Sequence, residues 1–378
     1  MLTAIETIIA FCAFLIVYTY LLFPLGIRFL SVLIGQSRQP SDNGVRQPSV
    51  AILCAMYNEE DVAEDKIANF KKLTYANVRL YIGSDGSSDR TNEILAQHAN
   101  DASLTIYTFP RRGKVYVMND LISSAVENIL VFTDANSMYA PDAIERLVAH
   151  LDDPSVGAVC GRLHLVDKEG KSGEGFYWRF ETMLKKAESV FKCVIGGNGA
   201  IYAVRRKLVC KLPLDTINDD FTISMRVIQQ GYCMTYADDA VATEEVGKDD
   251  SVEFKRHVRD AAGHYRAMRH LFPLLNPLHP KRFFFYVSHR VIRWFVPQLM
   301  IVLLILPWFA LGSPVVLAIL ISEVVFYMLA LIGWLSRSKH KVAYIPYYFS
   351  YINSALFVGF IKNLLGMQKV AWDRTQRS

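Results

Sequence analysis

Long apolar segments stand at both ends of this chain and enclose a middle part of mixed composition. Residues 4–34 form one apolar stretch, and further apolar stretches follow residue 280. A membrane-spanning helix needs about 20 predominantly apolar residues. Residues 49–275 have instead the mixed polar and apolar composition of a globular domain. The sequence therefore predicts a globular domain held between membrane-embedded helices.

Composition limits the classes of protein that the globular part can belong to. The formal net charge of +5 is modest, and no zinc-finger or helix-turn-helix pattern accompanies it. Nucleic acid is therefore not an expected partner. The six cysteines form no C-x-x-C pair, and most lie in apolar surroundings. We expect buried, reduced thiols rather than disulfides or a metal site.

The first apolar stretch is interpreted as a transmembrane helix over residues 1–35. A cleaved signal peptide would carry a basic start and a shorter apolar region. Arg28 lies near the end of the stretch, Arg38 and Arg46 follow it, and no Lys or Arg precedes it. The positive-inside rule then places the N-terminus outside and the globular domain in the cytosol. Residues 36–48 are a polar linker, and we expect an integral protein of the bacterial inner membrane.

The C-terminal part, residues 276–378, predicts an interfacial helix and two or three membrane helices. Residues 282–294 mix cations with aromatic side chains, which is typical of a helix lying in the membrane interface. Residues 295–311 and 314–335 predict two spans, followed by a short basic loop. Residues 344–365 are apolar but contain Asn353, Ser354 and Lys362. This last segment is compatible with a span, a re-entrant segment or an interfacial helix.

Strand and helix patterns alternate through the globular domain. Apolar runs at 49–54, 78–82, 104–109 and 129–133 predict strands, with helical patterns between them. This order predicts an α/β domain with a mostly parallel sheet. Past residue 150 the pattern is weaker. Strands are expected at 156–160 and 201–204, and helices at 176–191, 221–230 and 253–272.

Three aspartate clusters accompany this alternation. Asp85 and Asp134 follow predicted strands, and the pair Asp219-Asp220 precedes a predicted helix. Taken singly, each is ordinary turn or helix-cap chemistry. Together they favour a ligand site, because ligands of such sheets bind at the carboxyl ends of strands. Sugar transfer from a nucleotide needs a contact to the base, a cation beside the diphosphate, and a carboxylate that deprotonates the acceptor.

The motifs around these aspartates resemble those of membrane-bound family 2 glycosyltransferases. That GT-A group includes hyaluronan, chitin, cellulose and poly-N-acetylglucosamine synthases. The resemblance covers about residues 45–275. The matching segments are the donor-binding loop at 55–60, a DDGSxD-like segment at 84–89, a GKxxxxN-like segment from Gly113 to Asn119, a DxD-like segment at 134–136, a GxxGAxxAxRR-like segment from Gly196 to Arg206, and the pair Asp219-Asp220.

The resemblance implies a GT-A fold, Mg²⁺ or Mn²⁺ as the cofactor, and inverting transfer from a nucleotide sugar, with UDP as the expected nucleotide. It implies Asp220 as the general base, with Asp134 and Asn136 at the metal. The implied donor-binding residues are Tyr57, Asn58, Glu59, Asp85, Lys114, Asp134 and Arg259. The implied acceptor-side residues are Gly199, Asp219 and Arg256.

Two positions depart from the family pattern. Asn136 replaces the second aspartate of the DxD motif, so metal binding should depend mainly on Asp134. The Q-x-x-R-W motif of processive synthases is also replaced. Arg256 stands at its glutamine, Arg259 keeps its arginine, and Asp260 stands at its tryptophan. This replacement weakens the expectation of processive polymerisation and leaves the expectation of sugar transfer unchanged.

Several functions remain compatible with the sequence. The acceptor is a growing polysaccharide or a lipid-linked saccharide, as in cell-envelope glycan synthesis. A polyprenyl-phosphate sugar transferase is a first alternative, because a phosphate acceptor needs no strong base. A transporter subunit with a degenerate nucleotide-binding domain is a second. Membrane lipid is an expected partner, and export partners or a homo-oligomer are left open.

Overall fold

The computed structural model of this chain describes residues 2–35, 47–167, 175–245, 250–336 and 340–368. Most of the predicted linker, part of the basic loop before residue 340, and the basic C-terminal tail lie outside these ranges. The chain divides into two compact units. One contains residues 27–248 and 267–282, and the other contains residues 1–26, 249–266 and 283–368.

The first unit is built on one eight-stranded sheet with the order β3-β2-β1-β4-β7-β6-β8-β5. Its strands are Val50–Met56 (β1), Val78–Asp85 (β2), Leu104–Phe109 (β3), Ile129–Thr133 (β4), Met138–Tyr139 (β5), Val156–Val166 (β6), Tyr202–Arg205 (β7) and Cys233–Glu245 (β8).

The four strands β1 to β4 are parallel, and β7 joins β4 in the antiparallel sense. Strand β6 continues antiparallel to β7 and parallel to β8. Every residue of β1 is buried, as expected for a central strand covered on both faces. The predicted α/β class with a mostly parallel sheet is confirmed. In β1, Cys54 pairs with Ile82 of β2 and Thr133 of β4, so these strands end at one edge.

Helices cover the sheet between the strands. They are Ala63–Phe70 (α3), Thr91–Gln97 (α4), Lys114–Ser124 (α5), Ala143–His150 (α6), Phe176–Val190 (α7) and Asp219–Gln229 (α8). Helix α6 shows why a tertiary core forms: its buried side chains Ile144, Leu147 and Val148 recur at helical spacing and pack into the main apolar cluster.

Strand β8 and helix α6 were not predicted from the sequence. The pattern of β8 is broken by Asp238-Asp239 in its middle, where the pairing with β6 shifts between Gly161 and Arg162. A β-bulge of this kind places successive polar residues in a strand and hides its period of two. Helix α6 is too short for its apolar spacing to stand out beside the strands around it.

The remaining helices form the apolar ends of the chain, together with one mostly polar helix at Asp250–His270. The helices are Leu2–Val17 (α1), Phe23–Ile34 (α2), Asp250–His270 (α9), Pro280–Tyr286 (α10), Ile292–Ile305 (α11), Pro314–Ser336 (α12) and Lys341–Leu364 (α13). Single π-helical turns join α1 to α2 and α10 to α11. The Thr19 hydroxyl in the first turn donates to the Ser288 carbonyl in the second, at 2.8 Å.

Within the described parts of the chain, three helical segments are long and apolar enough to cross a membrane: Ala4–Ile34, Pro280–Phe309 and Pro314–Ser336. The second runs without a break through residue 295, where the sequence predicts a change from an interfacial helix to a span. Helix α13 falls outside these three segments, although it has 24 residues. The three alternatives for residues 344–365, a span, a re-entrant segment or an interfacial helix, therefore stay predictions.

Candidate active site

The predicted site residues of the sheet unit lie at the carboxyl ends of its central parallel strands. Asp85 is the last residue of β2, and Asp134 directly follows β4. Tyr57, Asn58 and Glu59 form the loop that follows β1. Because β1 lies between β2 and β4, these three segments are neighbours. This is the edge at which α/β sheets bind ligands.

The loops after β1 and β2 are tied to each other by hydrogen bonds. The Asn58 N–H donates to the Ser87 hydroxyl at 3.1 Å, and the Ser88 N–H donates to Asn58 Oδ1 at 2.8 Å. The Glu59 N–H donates to the Thr91 hydroxyl at 2.8 Å, and Glu59 is only 1% exposed. Asn58 and Glu59 therefore shape this edge of the sheet through contacts within the chain.

Asp85 is buried and holds the loop that precedes α5. Its Oδ1 accepts the N–H groups of Arg112 at 2.7 Å and Gly113 at 3.0 Å. Its Oδ2 accepts the Gly113 N–H at 2.9 Å and pairs with the Arg111 guanidinium. A carboxylate offers about four acceptor positions, and three donors of this loop make four contacts with them. In this structure Asp85 orients the segment that carries Lys114.

Arg111 is a site residue that the sequence analysis missed. Its guanidinium carbon lies 3.4 Å from the centroid of the Tyr57 ring, a close cation–π stack. Its backbone packs against Gly86, whose φ is +64° and where an added Cβ would lie 2.5 Å from the Arg111 nitrogen. The signal available in the sequence was the pair of arginines that precedes Gly113-Lys114, which is weak by itself.

Lys114 links two of the three aspartate clusters. Its ammonium lies 3.0 Å from Asp134 Oδ1 and 3.3 Å from Asp219 Oδ1. Burial alone would lower the pKa of Lys114, but the carboxylates of Asp134, Asp219 and Asp220 outweigh it and hold that pKa well above its usual range. The site therefore concentrates negative potential where a cation is held.

Asp219 and Asp220 form the first turn of α8. Helix capping was the alternative interpretation of this pair, and in the structure the N-cap is the preceding residue, Asn218. Asp220 Oδ1 accepts the N–H of Phe221 at 2.7 Å. Burial, followed by the charge of Asp219, raises the pKa of Asp220 to about 7. A carboxyl group of this pKa can accept a proton near neutral pH.

Gly199 allows the carboxylate of Asp134 to approach the loop before β7. A Cβ at this position would lie 2.6 Å from Asp134 Oδ2. The loop is held by Asn198, whose amide nitrogen donates to the Gly161 carbonyl at 3.0 Å and whose Oδ1 accepts the Ile201 N–H at 3.0 Å. The residue predicted on the acceptor side thus lies directly against the predicted metal ligand.

The predicted metal ligands fit a hard cation that takes few protein ligands. The Asp134 side chain is 40% exposed, and Asn136, two residues on, is half-buried. Among the described residues, no three His, Cys, Asp or Glu side chains are grouped closely enough to hold a metal ion. Mg²⁺ usually retains waters and is bound by one or two carboxylates together with phosphate oxygens. The ammonium held between Asp134 and Asp219 shows that these carboxylates attract a cation.

Arg256 and Arg259 lie on α9, in the membrane-helix unit. Arg259 contacts the carboxylate of its neighbour Asp260 at 3.2 Å, and Arg256 lies 4.0 Å from Glu253. The structure thus brings together Asp85, Lys114 and the carboxylates around it within the sheet unit. The predicted donor and acceptor roles of the two arginines stay predictions.

Comparison with known families agrees with this arrangement. Residues 51–209 match the family model described as glycosyl transferase family 2. That range contains β2 to β7, all but the first residue of β1, and the site residues from Tyr57 to Gly199. It ends before Asp219 and Asp220.

Curated relatives include synthases of a bacterial polysaccharide. The poly-beta-1,6-N-acetyl-D-glucosamine synthase of Staphylococcus aureus strain MSSA476 is 25% identical over 259 residues, which are 66% of this chain and 62% of the relative. The same synthase of Staphylococcus epidermidis is 24% identical over 237 residues, or 60% and 57% of the two chains. The alignments therefore span less than two thirds of these relatives.

Among solved structures, a mannosyltransferase from Pyrobaculum calidifontis in complex with GDP-Man and Mn²⁺ shares the fold. Its TM-score is 0.69 at 21% sequence identity, and the match covers 95% of this chain and 99% of that one. The predicted GT-A fold is confirmed by this likeness and by the family match.

Proposed function

Because this chain carries a glycosyltransferase family 2 domain and is similar to a polysaccharide synthase, we propose that it transfers a sugar from a nucleotide sugar to a saccharide or lipid-linked acceptor at the strand-end site. The observation that supports this most is the group formed by Lys114, Asp134 and Asp219 beside Asp220. It combines a cation for a diphosphate with a carboxyl group that titrates near neutral pH.

The donor would lie along the carboxyl edge of β1, β2 and β4. Lys114 exchanges its carboxylate partners for the diphosphate, where its charge stabilises the departing group. Asp134 and Asn136 would hold Mg²⁺ or Mn²⁺, and the bound cation supplies charge neutralisation at the diphosphate. The solved mannosyltransferase, with GDP-Man and Mn²⁺, supports a nucleotide sugar and a divalent cation as the pair. UDP remains the nucleotide expected from the sequence motifs.

Asp220 acts as the general base in this proposal. Its carboxylate takes the proton of the acceptor hydroxyl as that oxygen bonds to the anomeric carbon. The bond from this carbon to the diphosphate breaks on the opposite side, so the configuration inverts. Gly199 and Asp219 lie on the acceptor side, and Asp85 keeps the loop with Lys114 in place.

The apolar helices support a membrane location for the reaction. Three helical segments among the described residues are long and apolar enough to cross a membrane, and we propose that they hold the catalytic unit at the cytosolic face. An acceptor that is attached to lipid, or that emerges through the membrane, suits this arrangement.

Transfer is tested with the purified full chain in nanodiscs. Radiolabelled UDP- and GDP-sugars are supplied with Mn²⁺ or Mg²⁺ and a membrane-lipid extract as the source of acceptor, and products are sized. Metal-dependent incorporation of label is expected with at least one donor. Long products would support polysaccharide synthesis, and addition of one sugar to lipid would support a single transfer. No incorporation with any donor would contradict the proposal.

A further inference from the structure

Lys66 is a buried cation beneath the turn that carries Asp134. It lies on α3 and is 3% exposed. Its ammonium donates to the Thr133 hydroxyl at 2.7 Å and to the Ser137 carbonyl, and it lies 4.7 Å from the centroid of the Tyr139 ring. Within the described parts of the chain, no carboxylate oxygen lies within ion-pair distance of this ammonium. Its direct partners are a hydroxyl, a carbonyl and a ring.

A buried ammonium without a paired carboxylate is unfavourable for folding, because water solvates the charge far better than these partners do. Burial accordingly lowers the pKa of Lys66 to about 8, against the opposing influence of Cys54, Asp134 and Glu244. The group is still mainly charged at neutral pH. A methionine or leucine would fill the same space without this cost, which points to a role beyond packing.

The two hydrogen bonds of Lys66 hold both ends of one short turn. Thr133 is the last residue of β4, and Ser137 directly precedes β5. Across the turn, the Ser137 N–H donates to the Asp134 carbonyl at 3.3 Å, and the Thr133 hydroxyl is 3.1 Å from that same oxygen. Asp134 lies on this turn, and so does Asn136. Lys66 therefore fixes the backbone on which both predicted metal ligands are carried.

We propose that Lys66 is a positioning residue for the divalent cation, holding the 133–137 turn so that Asp134 and Asn136 present their oxygens together. This inference rests on the proposed function, because it assumes that the site takes a metal ion with a nucleoside diphosphate. In this role Lys66 itself contacts neither the cation nor the nucleoside diphosphate.

The test measures metal binding rather than turnover. Binding of Mn²⁺ to the purified full chain is followed by electron paramagnetic resonance, in the presence of UDP or GDP, whichever the wild type binds. Lys66→Met is expected to weaken Mn²⁺ binding by at least about tenfold, the scale on which groups that orient metal ligands act. Lys71→Met is the matched control, because Lys71 is about half exposed and pairs with Asp101. It should bind Mn²⁺ like the wild type.

A second variant keeps the test decisive if Lys66→Met does not fold. Thr133→Val removes one of the two hydrogen bonds of Lys66 at nearly constant volume, together with the contacts of the hydroxyl to the Asp134 and Ala200 carbonyls. It should therefore weaken Mn²⁺ binding in the same direction. Wild-type binding in a folded Lys66→Met protein, or in Thr133→Val when the first variant is unfolded, would overturn the positioning role while leaving the proposed function intact. A wild type that binds neither Mn²⁺ nor a nucleoside diphosphate would overturn both.

Discussion

At the scale of single residues, the site depends on the close approach of the Asp134 carboxylate to Gly199. Gly199→Ala would place a methyl group 2.6 Å from Asp134 Oδ2, so this carboxylate must move. A displacement of about 1 Å in a catalytic group can reduce turnover on the order of 100-fold. We expect a loss of this size in initial rates of sugar transfer, with an unchanged unfolding temperature. Gly175→Ala is the control, since nothing among the described residues lies within 4 Å of its added Cβ. Equal rates for both variants would contradict this geometry.

The pH dependence of transfer should report Asp220. A general base works only when ionised, so kcat/KM should rise with pH through about 7, the value to which burial and Asp219 raise the pKa of Asp220. Asp219→Asn removes the negative charge that, after burial, contributes most to the raised pKa of Asp220. The pKa of Asp220 then falls, and the acid limb of the kcat/KM profile should move to lower pH. A limb that stays in place or moves upward would exclude Asp220 as the titrating group.

A substitution at Asp85 can show whether this residue supports the loop before Lys114 or contacts the base of the nucleotide. Its acceptor positions are occupied by Arg111, Arg112 and Gly113. Asp85→Asn should therefore weaken the binding of UDP, GDP and CDP by similar factors, each about tenfold or more, because a charged hydrogen-bond acceptor is lost from the loop. Isothermal titration with the three nucleotides checks this. A change of preference among the bases would instead show that Asp85 contacts the base.

At the scale of elements, strands β4 and β7 are joined by stacked aromatic rings. Phe132 and Tyr202 pair directly, with ring centroids 4.7 Å apart and planes 9° apart. The Tyr202 hydroxyl is buried and has no hydrogen-bond partner among the described residues. Tyr202→Phe should therefore keep or slightly raise the unfolding temperature, whereas Tyr202→Ala should cost about 3–5 kcal/mol. Thermal unfolding in detergent measures both. A clear loss in Tyr202→Phe would show that the hydroxyl has a partner.

The sequence predicted those elements whose residues show a clear apolar pattern by themselves. Strands β1 to β4 are near-continuous apolar runs, and their predicted positions agree with the structure to within a few residues. Asp85 and Asp134 were found because they follow those runs. Strand β8 was missed because its bulge breaks the pattern. Lys66 and Arg111 could not be found, since a single cation has no signature until the fold brings it to Thr133 or Tyr57.

At the scale of the whole molecule, the proposal places the catalytic unit in the cytosol. Cys210 is exposed in the sheet unit, while the other five cysteines, all within the described residues, are buried or half-buried. A membrane-impermeant maleimide should thus label Cys210 in inside-out vesicles and leave it unlabelled in intact cells. Cys210→Ser gives the background. Strong labelling in intact cells would reverse the proposed orientation.

The most direct test of the central claim compares sugar transfer and donor binding in one variant. In nanodiscs, Asp220→Asn should bind the nucleotide-sugar donor like the wild type, because Asp220 takes the acceptor's proton and does not hold the donor. Transfer of radiolabelled sugar should fall to near background, since the amide cannot accept that proton. Transfer close to the wild-type rate, with donor binding intact, would contradict hydroxyl activation by Asp220 and favour a phosphate acceptor.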